Sequence, residues 1–188
     1  MLIFVISAVV YFGIVTFIAQ GMAPQEYNSR SNTLNELACQ SYENRSTMQW
    51  GFKGLGIIIF AGIIVNINDA VNEPYYYVPL GFFSIFTYLS GVFSTKPFEH
   101  LVFYSIKEFK LNSLFNQLSG LSISLLIVMK LFVELGSLNR VINIMVLILN
   151  LYLSIQVGRK SINRGVYQRA LYFISFLWLI YANSVMMN

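Results

Sequence analysis

Gly21–Gly56 reads GMAPQEYNSRSNTLNELACQSYENRSTMQWGFKGLG, the longest polar stretch of the chain. What flanks it decides the fold. Before it, Leu2–Ala19 (LIFVISAVVYFGIVTFIA) is a continuous apolar run, and after it the sequence turns apolar again through IIIFAGIIV. A membrane-spanning helix needs about 20 mostly apolar residues, within a range of about 17–25. A polar loop between two such runs belongs to a chain that crosses a bilayer and returns.

The composition agrees. Hydrophobic residues make up 56% of the 188 residues and charged residues 11%, whereas a soluble domain carries about 25% charged residues. So apolar a chain would expose too much hydrophobic surface to water. Its length suits one compact unit over residues 1–188. The net charge of +4 fits cationic loops near anionic headgroups better than a nucleic-acid surface. Cys39 is the only cysteine and His100 the only histidine, which excludes an internal disulfide, a cysteine zinc cluster and any HExxH site within the chain.

Six spans are expected, at about 2–19, 48–66, 77–95, 113–132, 140–157 and 167–187. The competing reading of the first is a cleaved signal peptide, and the missing basic n-region weighs against it. Ser46-Thr-Met-Gln49 reads as a capping box opening the second span. Tyr75, Tyr76 and Tyr77 before the third read as an interfacial aromatic belt. Gly51, Gly54 and Gly62, and Gly120 with Ser124, read as points of close helix approach. Asn143 and Asn150, seven apart and hence on one face, and Asn183 read as contacts between helices or the wall of a polar cavity.

With six spans, loops one, three and five share a side. That side collects Arg30, Arg45, Lys53, Lys96, Lys107, Lys110, Arg159, Lys160, Arg164 and Arg169, against Lys130 and Arg140 opposite. The positive-inside rule makes those loops cytoplasmic and both termini external. Within loop one, Thr33-Leu-Asn-Glu36 is a second capping box, which predicts a short helix over Leu34–Tyr42. In loop three, Phe98–Lys110 is too apolar for a plain loop and reads as an interfacial helix. The basic end is thus expected to carry two short amphipathic elements, arranged as a lid.

No nucleotide-binding or hydrolase motif is present, and no expected span has an acid near its centre, which argues against a carboxylate-coupled transporter and an intramembrane metal hydrolase. The residues name no cofactor. The candidates for a binding site are Tyr27, Glu36, Lys53, Gln168 and Arg169 at the basic end, with His100 nearby. Lys53 and Arg169 could hold an anionic headgroup. Capping explains Glu36 without function, and snorkelling explains Lys53.

Three blocks resemble the DUF998 family. They are Pro24, Tyr27, Asn28, Ser31, Thr33, Glu36 and Leu37 with the Gly51–Gly56 run; Gly91-Val-Phe-Ser-Thr95; and Arg164-Gly-Val-Tyr-Gln168-Arg169 leading to Trp178. The resemblance implies a prokaryotic membrane protein of about six spans and no assigned activity. The family's histidine at the start of the fourth span is replaced by Asn116 here. The expected class is therefore an all-α integral membrane bundle in a prokaryotic cytoplasmic membrane. It would bind a lipid or other amphiphile, or a membrane-protein partner or second copy, and no nucleic acid. The alternative is a membrane enzyme or transporter with its polar site at the basic end.

Overall fold

The computed structural model describes residues 1–97, 103–133, 136–159 and 161–185, all helix and connections, with no strand among them. Seven α-helices follow in order: α1 (Leu2–Gly21), α2 (Arg45–Val65), α3 (Ile67–Asn72), α4 (Pro74–Val92), α5 (Ile106–Val133), α6 (Ser137–Gly158) and α7 (Arg164–Val185), with a 3-10 helix, Leu34–Ala38, between α1 and α2. The six long helices form a ring. Each packs on its neighbours in the order α1, α2, α4, α5, α6, α7, and α7 closes against α1.

Four of them, α1, α2, α5 and α6, are long and apolar enough to cross a membrane. Their outer faces carry large exposed apolar side chains: Ile3 is 78% exposed, Phe17 82%, Phe132 80% and Leu138 70%. Surfaces of this kind are compatible with a multi-pass membrane protein. The expected third and sixth spans correspond to α4 and α7, which lie in the same bundle without meeting that measure. α4 holds two prolines and four tyrosines, while α7 holds Arg164, Gln168, Arg169 and Asn183.

Lipid tails are as apolar as leucine, so close packing and internal hydrogen bonds hold such a bundle together. At Gly56 the α2 and α4 backbones touch, and an added Cβ would lie 2.5 Å from the Ser84 carbonyl oxygen. Gly54 and Gly62 instead make room for the Tyr11 and Phe4 side chains of α1. Gly120 departs from expectation: it is exposed, with nothing within 4 Å of an added Cβ. Phe12, Phe52, Tyr172 and Phe176 join α1, α2 and α7, with ring centroids of contacting pairs 5.4–6.4 Å apart.

Several boundaries differ from the sequence reading. The box at Ser46 does not form. α2 starts at Arg45 with Asn44 as its cap, and the Gln49 amide instead donates to Ser94 Oγ at 3.0 Å. The tyrosine trio lies inside the first turn of α4 after Pro74, which suits a helix's first position because its missing N–H has no helical partner there. Tyr76 is fully buried, as no belt residue would be. Loop two contains α3. The end of the expected loop-three helix is continuous with α5, while residues 98–102, including His100, lie outside the described residues.

Candidate functional site

The polar island folds over one end of the ring as a plug. Its 3-10 helix packs on α1, α2 and α7, with Leu34, Leu37, Ala38 and Cys39 buried beneath it. The capping box accounts for the local fold, because the Glu36 carboxylate accepts the Thr33 N–H at 2.7 Å. The helix is shorter than predicted, ending at Ala38 as Cys39 turns extended. Cys39 then makes an isolated bridge with Thr95. Gln40 N–H donates to the Thr95 carbonyl at 3.1 Å. The Gln40 side chain pairs with the Ser105 backbone in both directions, at 3.0 and 2.6 Å. Loop one thereby fastens loop three.

Its other flank fastens α7. Glu36 is buried, and its Oε1 accepts a charge-assisted hydrogen bond from Arg164. Its Oε2 also accepts from Thr33 Oγ1 at 3.2 Å and Asn32 Nδ2 at 3.4 Å. Gln168 Oε1 accepts the Leu34 N–H at 2.6 Å, meeting a donor that the start of the short helix leaves open. Arg169 Nη1 donates to the carbonyls of Ser29, Asn32 and Gly165 at 2.6, 3.1 and 2.9 Å. Its Nη2 donates to the Tyr27 hydroxyl at 2.8 Å, which in turn donates to the Thr33 carbonyl at 3.2 Å. Burial pushes the Tyr27 phenol above its ordinary range, against the opposing pull of the Arg169 guanidinium, so it keeps the proton it donates. Gly165 permits this contact, since a Cβ there would stand 2.3 Å from the Asn32 carbonyl oxygen and 2.5 Å from that of Ser29.

Four of the six candidates, Tyr27, Glu36, Gln168 and Arg169, therefore meet in one network. Lys53 does not join it. Its ammonium lies 5.1 Å from the centroid of the Trp50 ring, on the outer side of α2. His100 lies outside the described residues. The sequence reading placed Arg164 among the basic residues of loop five but not opposite Glu36, 128 positions away. Residues of the three quoted blocks lie together here, through Glu36–Arg164 and through the close approach of Gly91 to the Lys53 backbone.

A second group of polar contacts runs down the α6–α7 seam. Trp178 Nε1 donates to Asn143 Oδ1 at 2.7 Å, Ser175 Oγ to Asn150 Oδ1 at 3.0 Å and Tyr181 to Asn139 Oδ1 at 2.6 Å. Asn183 reaches Tyr76 of α4. Lys130, counted in the sequence on the side opposite the basic end, is buried with its ammonium 5.4 Å from the Tyr76 ring centroid. The outward side of α2 and α4 also holds an open groove of about 370 Å³ lined by Gly56, Ile57, Phe60, Ala61, Ile64, Ser84, Ile85, Tyr88 and Leu89.

The fold defines an all-helical bundle of membrane-protein character, with a hydrogen-bonded plug over its basic end. No family model, curated protein or solved structure matches the chain.

Proposed function

We propose that this chain is a six-span protein of a prokaryotic cytoplasmic membrane, related to the DUF998 family, which binds a membrane lipid without transforming it. The observation that carries this reading is the groove between α2 and α4. It opens on the face that would meet lipid tails, its surface is apolar throughout, and Ile57, Phe60, Ile64 and Ile85 stand exposed along it. An acyl chain is the complementary occupant.

The basic-end network supports a non-catalytic role. A catalytic acid or base must reach a substrate proton. Both Glu36 oxygens are instead occupied by Arg164, Thr33 and Asn32, and the Arg169 end groups by backbone carbonyls and Tyr27. These bonds make the network a clamp holding loop one onto α7. The positive-inside rule puts this end in the cytoplasm.

Native mass spectrometry of the full chain, purified in mild detergent, tests the reading. Retained phospholipid adducts that disappear after a groove-filling change such as Ala61→Phe are expected. An adduct-free chain released from native membranes overturns it.

A further inference from the structure

From this lipid-binding reading we infer that the α2–α4 groove is a site for one anionic phospholipid, with its phosphate held by Lys53 at the basic end. The argument begins with register. Lys53, Ile57, Phe60 and Ile64 follow at spacings of four, three and four, so they lie along one face of α2. Ile57, Phe60 and Ile64 line the groove. Lys53 is therefore the next residue on that line toward the basic end.

Trp50, one turn nearer that end, is 55% exposed, and the Lys53 ammonium rests 5.1 Å from its ring centroid. Helical side chains lean toward the helix N-terminus, which for α2 is the basic end. The ammonium is thus set at the mouth of the groove. An indole at the headgroup level is the usual interfacial anchor, and it holds the cation by its ring quadrupole. Tyr88, 38% exposed on α4, adds a second amphipathic ring to the lining.

The length fits one leaflet. From Lys53 to Ile64 is eleven residues, or about 16 Å of helix, against about 15 Å for half of a roughly 30 Å hydrocarbon core. A headgroup phosphate beside Lys53 would leave its acyl chain the full length of the groove. Charge chooses among lipids: the exposed cations Arg45, Lys96, Lys107 and Lys110 lie in the loops and helix starts of the same end, so a zwitterionic headgroup gains less there than an anionic one.

The test loads the delipidated full chain with equimolar phosphatidylglycerol and phosphatidylcholine of identical acyl chains and counts bound lipids by native mass spectrometry. The intact chain should retain phosphatidylglycerol about fivefold over phosphatidylcholine, the size expected of one basic residue near an anionic surface. Lys53→Gln should remove most of that preference, and Ala61→Phe should reduce both lipids, each variant keeping the parent's thermal midpoint. A preference undiminished in Lys53→Gln overturns the inference and leaves lipid binding standing. Retention of neither lipid overturns the lipid-binding reading itself. A doubled mass that Ala61→Phe returns to a single chain assigns the groove to a second copy and overturns the inference.

Discussion

At the scale of single residues, the clamp rests on a charge that water no longer reaches. Glu36 is 6% exposed, while the Arg164 side chain retains 28% of its exposure. Removing Arg164 leaves the carboxylate with neutral donors only. Arg164→Ala should therefore cost about 1–3 kcal/mol, below the full penalty of a completely buried pair. It should appear as a lowered thermal midpoint in detergent, with Glu36→Gln in the same background recovering part of the loss. Gly165→Ala tests the close approach. Its Cβ would overlap two loop-one carbonyls, so trypsin should cleave at Arg30 faster than in the parent. Gly120→Ala, with open space around it, should leave both stability and cleavage unchanged. Sequence reading reached Glu36 because a capping box is local, and its carboxylate does cap Thr33. It did not pair Glu36 with Arg164, since a contact across 128 positions leaves no trace in spacing. The burial of Lys130 was not legible for a related reason. Only the folded ring turns it inward toward Tyr76.

At the scale of elements, the apolar runs placed the six long helices because each run is close to the length of about 17–25 mostly apolar residues that a membrane-spanning helix needs. Their ends were less legible. The box at Ser46 competes with a tertiary partner, Ser94, for the Gln49 amide, and the partner wins. The expected interfacial helix of loop three was separated from the fourth span at polar residues that α5 accommodates without a break, among them Asn112, whose amide donates to the Ser90 and Phe93 carbonyls. The asparagines of α6 make the α6–α7 seam a place to weigh individual hydrogen bonds. Asn143 accepts the Trp178 indole N–H, whereas Asn150 Nδ2 is buried without a partner. Flipping the Asn150 amide only exchanges which of its atoms goes unmet, since Ser175 Oγ serves either orientation. Asn143→Leu should thus cost about 0.5–2 kcal/mol by stranding the indole. Asn150→Leu should fall within about 0.5 kcal/mol of the parent, because it removes an unmet donor together with one bond. Reversible unfolding in mixed micelles compares the two directly. A larger loss for Asn150→Leu would show that its amide carries a contact beyond Ser175.

At the scale of the whole molecule, the proposed six-span architecture turns on α4 and α7, which do not meet the measure of length and apolarity that α1, α2, α5 and α6 meet. Their place in the ring is what supports counting them as spans in that proposal. α4 packs between α2 and α5, and α7 between α6 and α1, so each runs beside helices that are long and apolar enough to span. A peripheral helix could not fill that place without leaving the inner faces of its neighbours exposed. The proposed orientation rests on charge, because among the described residues Arg30, Arg45, Lys53, Lys96, Lys107, Lys110, Arg159, Arg164 and Arg169 belong to the plug end and its flanking helix ends, against Lys130 and Arg140 opposite. In a Cys39→Ser background, single changes Gln25→Cys, Asn72→Cys, Ser137→Cys and Ile162→Cys place a thiol at exposed positions in loops one, two, four and five. An impermeant maleimide applied to intact cells should label Asn72→Cys and Ser137→Cys, and leave Gln25→Cys and Ile162→Cys unlabelled until the membrane is opened. The reverse pattern would invert the orientation and keep the six crossings. Labelling of only one of Asn72→Cys and Ser137→Cys would mean that a single crossing lies between them. Since α5 is one of the four spanning-length helices, that result would take α4 out of the bilayer and reduce the proposed six-span architecture.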